Sequence, residues 1–333
     1  MTVRFRGVFI MDKRTRVLNA MDCKPVDRVP VTFYTHFLSE EAQRDNAVAA
    51  QVKWMRDCGM DCLCVETDGY MEYPLENTVG SLNDWKNLHT LKKDSPYFMG
   101  QLDRAKRIAE AAEDACIFYM LFTPYSVIKH TIGGESKIGE FFKADKNVII
   151  DAMKVIEESN FLLADMLKQE TDITGYFVSL QNAEASRFTI AEYNEYLAEW
   201  DIRLLNYVNQ LSDYNITHMC SWAGECNQLE LWKEYPYKTV NWSVNIEKDM
   251  DFKKARDYFK PGSCLMAGFD NTPNGILYRG SKEEIKEHTK KQLELAGTIG
   301  TILCGDCSLQ MDQNPTNVKY VIEACEEYAA SQN

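Results

Sequence analysis

In the stretch "NITHMCSW", Asn215 to Trp222, a histidine and a cysteine stand two residues apart, and "LCGDCSL" near the other end of the chain supplies a further thiol, Cys307. On an extended strand, residues i and i+2 point to one side, so His218 and Cys220 share a face. One imidazole and two thiolates suit zinc, and three protein ligands leave a fourth position open for a substrate. Core packing is the competing reading, because free cysteines are commonly small buried hydrophobes. Cys62 and Cys64 repeat the spacing without a histidine, and Cys304, inside an apolar run, reads as core rather than as half of a ligand pair with Cys307.

The elements that must position these residues recur along the whole chain. Eight strand-like runs are legible: residues 29–34, 62–67, 117–122, 175–180, 218–222, 239–244, 264–269 and 301–306. They are rich in β-branched and aromatic residues and nearly continuous in apolar character, which suits a parallel sheet buried on both faces. Amphipathic segments lie between them. In "SKEEIKEHTKKQLELAG", Ile285, Leu293 and Leu295 fall among charges and Gly297 supplies a C-cap. Eight such units predict a (β/α)₈ TIM barrel, α/β in class, with a doubly wound sheet as the alternative; no glycine-rich turn follows the first run, which counts against dinucleotide binding. Residues 1–333 read as one domain, with residues 1–20 as an N-terminal extension. The long connection from Asp68 to Cys116 is expected to carry extra helices or a lid near the barrel mouth.

Barrel enzymes place their chemistry at the C-terminal ends of the strands. Cys307 falls just past the last run, so barrel closure brings it to the mouth beside His218 and Cys220. Glu66 and Asp68, after the second run, are candidates for a fourth ligand or a general acid/base, with helix capping as the bland alternative. Gln181 and Asn182 are candidates to hydrogen-bond a substrate, against a turn with an N-cap. Tyr34 and His36, again i and i+2, are read as facing the mouth, with packing as the competing role. Trp222 and Phe269 are expected to line the cavity, or simply to close the barrel. Asp306 is a candidate to orient His218 or a substrate group, and Asp270 and Glu184 add to an acidic mouth.

Composition narrows the partners. The chain has 333 residues, 45% hydrophobic, with 37 Lys+Arg against 50 Asp+Glu and a formal charge of −13. No basic stripe is present, so nucleic acid is not an expected partner. No apolar run reaches the ~18 residues of a membrane span. The first twenty residues interrupt their apolar patches with charges, unlike a secretory leader, and eleven cysteines suit a reducing compartment. A cytoplasmic location is expected.

Several segments together carry a family resemblance: "PVDRVPVTF", "TPYSVIKHTIGG", "RFTIAEYNEYL", "ITHMCSWAG", "VNWSVN", "MAGFDNTPNGILYRGSKEEI" and "ILCGDCS". In order and spacing the chain resembles the uroporphyrinogen decarboxylase superfamily, a (β/α)₈ barrel, and within it the zinc-dependent, corrinoid-linked methyltransferases. That resemblance implies His218, Cys220 and Cys307 as zinc ligands, and a corrinoid (methylcobalamin) supplied by a partner corrinoid protein. It also implies a small-molecule methyl donor or acceptor; a homodimer is retained among the expected assemblies. The chain departs from the branch at "GDC", where Pro-Gly-Cys is common, and in the following "SLQMDQNP". The decarboxylase itself holds its tetrapyrrole carboxylates with an arginine-rich segment after the first strand. Here "FYTHFLSEEAQRD" offers only Arg44, alongside Glu40 and Glu41. Uroporphyrinogen decarboxylation is therefore the second reading, and a corrinoid- or partner-binding barrel without catalysis the third.

Overall fold

The computed structural model describes residues 3–5, 8–75, 81–86, 88–221 and 224–332. Strands β1 (Val3–Phe5) and β2 (Val8–Ile10) pair as a small antiparallel hairpin. The main sheet is parallel and runs in chain order through β3 (Cys62–Val65), β4 (Cys116–Phe122), β5 (Gly175–Leu180), β6 (Ile216–Met219), β7 (Thr239–Trp242), β8 (Cys264–Phe269) and β9 (Thr301–Gly305). Seven of the eight runs read from the sequence are thus strands of one curled sheet, and every residue of the seven is buried. Their continuous apolar character follows from having side chains on one face inside the barrel and on the other under the helices.

The first run, residues 29–34, closes the ring without forming a full strand. Against β9 it keeps a ladder: Thr32 N donates to Leu303 O at 3.0 Å, Leu303 N donates to Pro30 O at 2.9 Å, and Leu309 N donates to Tyr34 O at 2.8 Å. Against β3 the pairing passes largely to side chains. Thr32 Oγ1 donates to Cys62 O at 2.8 Å, and Val31 N donates to Asp61 Oδ2 at 2.9 Å. Pro30 lacks an N–H, so a regular ladder cannot form through it.

Beneath this closure lies a buried ionic cluster. Asp61, fully buried, accepts from Arg16 Nη1 at 2.6 Å and from Arg28 Nη1 and Nη2 at 2.7 and 3.0 Å, while Asp27 takes Arg16 Nε at 2.7 Å. Arg16 comes from the helix Lys13–Met21, whose Val17, Ala20 and Met21 are buried. The segment read as an extension therefore contributes directly to closing the barrel.

The outer helices behave as amphipathic segments should. Lys282–Ala296 begins with a capping box, in which Ser281 and Glu284 exchange side-chain to backbone bonds, and ends at Gly297 with φ 72°. Ile285 and Leu293 are buried, but Leu295 is 43% exposed. A residue two positions from Leu293 lies on the far side of a 3.6-residue turn, so Leu295 falls outside the buried stripe. The connection from Asp68 to Cys116 holds, among its described residues, a short 3₁₀ turn (Leu82–Trp85) and one crossover helix (Pro96–Ala111). The additional mouth helices come later, as Pro124–Thr131 and Glu135–Ala144 after β4 and Ile190–Tyr196 after β5. No described helix is long and apolar enough to cross a membrane.

Candidate metal centre at the barrel mouth

β6 ends at Met219, and its last residues set the centre. His218 points inward from the strand, and Cys220, two residues on, keeps the same direction because its N–H still donates to Leu180 O of β5 at 3.0 Å. Cys307 arrives from the exit of β9. Its Sγ lies 3.8 Å from Cys220 Sγ and 3.6 Å from His218 Nε2, and all three donor atoms lie within 4.8 Å of one another. A tetrahedral zinc with Zn–S ~2.3 Å and Zn–N ~2.05 Å has S···S edges of about 3.8 Å and S···N edges of about 3.6 Å. The Cys220–Cys307 and Cys307–His218 separations match these edges, so the donor set fits the ion by distance as well as by chemistry. The Cys307 thiol is held well below the usual thiol range, first by its contact with Cys220 and then by the His218 imidazole, against the cost of burial. Cys304 is buried in the core, as its sequence reading has it, together with Cys62 and Cys64, and no two of the eleven cysteines form a disulfide.

His218 is packed by rings rather than oriented by a carboxylate. Tyr34 meets it edge-on at 6.0 Å and Phe177 at 5.3 Å, and Tyr34 Oη donates to Asn241 Oδ1 at 3.0 Å. Its Nδ1 is buried without a hydrogen-bond partner. Asp306 does not supply one. Its carboxylate accepts from Ser243 Oγ, Val244 N, Asn245 N and Asn245 Nδ2 at 2.7–3.1 Å, which fixes the loop after β7. Neighbouring residues at a strand end point to opposite sides, so with Cys307 in the mouth Asp306 turns away. Its proposed role at His218 is therefore corrected.

The donors open onto a cavity of about 380 Å³. Tyr34, His36, Glu66 and Gln181 line it, as expected from sequence, together with Met71, Met120, Phe122 and His130. Asn182 does not. It adopts φ 71° and turns back, where its Oδ1 accepts from Lys129 Nζ at 3.2 Å and its Nδ2 donates to Ser126 Oγ at 3.2 Å. Phe269 is buried in the outer layer, edge-on to Phe33 at 5.3 Å and 5.0 Å from the His288 ring. Asp270 is consumed by an Asx turn, its Oδ1 accepting from Thr272 N at 2.8 Å, so Asn271 and Thr272 reach the cavity in its place. Glu184 is buried against Arg187 at 2.8 Å. Trp222 lies outside the described residues.

Glu66 and Asp68 divide their roles. Asp68 accepts from His36 Nδ1 at 2.8 Å and from Phe37 N at 2.7 Å, which occupies it in positioning that loop. The Glu66 backbone is clamped by Gln51, which donates to its carbonyl at 3.1 Å and accepts from its N–H at 2.9 Å. Its two carboxyl oxygens are buried with no hydrogen-bond partner, and His36 Nδ1 stands 3.5 Å away. Burial pushes the Glu66 carboxyl up to about 8, against the pull of His36, and Glu66 in turn holds His36 up at about 10. The folded state then keeps the Glu66 proton over pH ~4.5–8 where the unfolded chain has lost it, so this group makes stability fall as pH rises through that window. Glu66→Gln, which resembles the protonated form, is expected to match the wild type near pH 5 and to exceed it in melting temperature by pH 8. An equal gap at both pH values contradicts the assignment.

Several residues in or behind the cavity wall had no sequence signal. Lys129, buried and lowered to about 7 by desolvation, donates to Gln181 Oε1, and the Gln181 NH₂ donates to Ser179 Oγ at 3.4 Å, which leaves its second N–H as the amide's remaining donor. Arg104 fixes the loop through the carbonyls of Glu66 and Asp68, at 3.1 and 2.9 Å. Met120 and Phe122 alternate on β4, but in a run apolar on both faces nothing marks the inward set.

Fold and site together define a parallel α/β barrel with a thiolate–imidazole centre at its catalytic end. The chain belongs to the uroporphyrinogen decarboxylase (URO-D) family, whose model matches residues 56–328. Among solved structures it is similar to a methyltransferase from Methanosarcina mazei, 17% identical with a TM-score of 0.70, over 96% of this chain and 99% of that one. It is also similar to a B12-independent methionine synthase from Shewanella sp. W3-18-1 solved with selenomethionine, 13% identical with a TM-score of 0.52 over 92% and 95% of the two chains. A β-1,4-mannanase from the sea hare Aplysia kurodai scores the same 0.52 at 9% identity, over 96% of each chain. At these identities the likeness is one of fold, and a barrel shared with a mannanase leaves chemistry to the site. No curated protein matches the chain in sequence.

Proposed function

We propose that this protein is a zinc-dependent methyltransferase that moves a methyl group between a small methylated metabolite or thiol and a corrinoid carried by a separate protein. The observation that carries the reading is the His218, Cys220 and Cys307 donor set, with two edges at tetrahedral zinc dimensions. Zinc bound there supplies Lewis acidity toward the heteroatom that gives up or receives the methyl group. Two thiolates and a neutral imidazole balance the ion's charge, which leaves a bound thiolate nucleophilic. Glu66, pushed up to about 8 and with unpartnered carboxyl oxygens, can give a proton to a departing heteroatom in its protonated form, or take one from an arriving thiol in its ionised form. Tyr34 and Phe177 hold the His218 ring, and Gln181 offers a donor to the substrate. The 17%-identical methyltransferase from Methanosarcina mazei is consistent with this reading.

Decarboxylation of a tetrapyrrole is the second reading, favoured by the family's name. Among the described residues no Lys or Arg lines the cavity, and Arg44 is exposed at the start of the helix Arg44–Cys58. Eight substrate carboxylates would meet a mouth whose described cation, the His36 imidazolium, is already paired with Asp68 at 2.8 Å. One assay separates the two readings. Zinc-loaded wild type is expected to move a methyl group between free cobalamin and a small thiol or methylated metabolite, and to leave uroporphyrinogen unchanged. Steady conversion of uroporphyrinogen, unaffected by a chelator, overturns the proposal. A corrinoid protein encoded near this one is the expected macromolecular partner, since no segment of the chain resembles a cobalamin-binding domain.

A further inference from the structure

His130 is the cavity residue that neither the metal nor the proton chemistry uses. It sits at the end of the helix Pro124–Thr131, with its ring edge-on to Phe122 at 4.8 Å, and it lines the cavity. Its Nε2 is buried and has no hydrogen-bond partner. A buried, unpartnered polar nitrogen on a residue that lines a cavity calls for a partner that enters the cavity. The surroundings restrict what that partner is. Met71, Met120, Phe122 and Ile246 form an apolar share of the wall, and no described Lys or Arg lines it. His36, the cationic side chain of the lining, is already paired with Asp68 at 2.8 Å, so a charge placed against this apolar wall loses hydration with little compensation. Lys129, the neighbouring cation, is turned behind the wall onto Gln181 and Asn182. Burial also pulls the His130 imidazole down to about 3, so it stays neutral across the physiological range and offers a hydrogen bond but no countercharge to an anion.

We propose that His130 determines specificity by hydrogen-bonding a second, uncharged polar group of the substrate, such as a hydroxyl, distinct from the atom that carries the methyl group. The inference rests on the methyl-transfer reading only for the identity of the reacting end. It deepens that reading by assigning the substrate to small neutral molecules with two polar positions, and by excluding carboxylates at the His130 end.

The test uses three probes of similar size, 2-methoxyethanol, 1-methoxypropane and methoxyacetate, titrated into zinc-loaded full-length protein by ligand-observed NMR, which reads binding whether or not turnover occurs. Wild type is expected to bind 2-methoxyethanol about tenfold more tightly than 1-methoxypropane, the size of effect one satisfied buried hydrogen bond gives, and methoxyacetate most weakly. His130→Phe keeps a ring but lacks the nitrogen, and it is expected to erase the alcohol preference. His130→Gln returns a polar group at similar reach and is expected to restore it. An unchanged preference in His130→Phe, no preference in the wild type, or tightest binding of methoxyacetate overturns the proposal. Loss of the preference in a protein that transfers no methyl to reduced cobalamin keeps this inference and removes the methyltransferase reading. Methyl transfer with an unchanged preference does the reverse.

Discussion

His218→Ala is expected to lower methyl transfer to or from free cobalamin by about 10³-fold or more while the far-ultraviolet circular dichroism stays that of the wild type. The size follows from the several kcal/mol of charge stabilisation that a Lewis acid contributes at a reacting heteroatom, since each ~1.4 kcal/mol is tenfold in rate. The fold should survive because the imidazole makes no buried hydrogen bond through Nδ1 and is held by the faces and edges of Tyr34 and Phe177. Its removal leaves a small cavity inside an otherwise intact barrel. Asp306→Asn gives the contrast. That carboxylate organises residues 243–245, so its loss should loosen the loop after β7 and reduce activity far less than loss of a ligand. A rate for His218→Ala within tenfold of the wild type contradicts the metal's role.

Asp61→Ala is expected to lose about 3–5 kcal/mol of stability, the cost of breaking a buried pair and leaving uncompensated charge. Asp61 is fully buried and receives both Arg16 and Arg28 as well as the Val31 N–H. Arg16 retains Asp27, but Arg28 is left with Val29 O and a 3.6 Å approach to the exposed Glu326. The damage falls where residues 29–34 join the ring, so barrel closure itself is weakened. Urea unfolding checks this through a lower midpoint at unchanged slope. A midpoint within experimental error of the wild type shows that closure does not depend on the cluster.

The barrel was legible because its strands are buried on both faces and carry unbroken apolar runs, and its helices carry capping boxes and one-sided apolar stripes such as Ile285 and Leu293. The first run was misjudged only in detail, since Pro30 and the Asp61 carboxylate replace part of a ladder that a list of β-formers cannot foresee. The cluster of His218, Cys220 and Cys307 was legible for a geometric reason: the i, i+2 spacing of His218 and Cys220 fixes a common direction, and closure brings β9 round to β6. The same alternation explains the misplacements. Phe269, Asp270 and Asp306 also stand at strand ends, but one position along the strand decides between cavity and outer layer, and that phase is invisible when both faces are apolar. His130 has no ligand-like neighbour at i±2 to mark it in the sequence. Its importance comes from an unpartnered nitrogen beside a cavity, a property of packing rather than of spacing.

The most direct test of the central claim is zinc stoichiometry with X-ray absorption at the zinc edge, on wild-type and Cys220→Ala protein purified under reducing conditions. One zinc per chain is expected in the wild type, with two sulfur neighbours near 2.3 Å and a nitrogen near 2.05 Å, and Cys220→Ala should lose most of the metal or retain it with a single sulfur. A wild type without zinc, or with zinc surrounded by oxygen and nitrogen alone and unaffected by Cys220→Ala, contradicts the assignment of His218, Cys220 and Cys307.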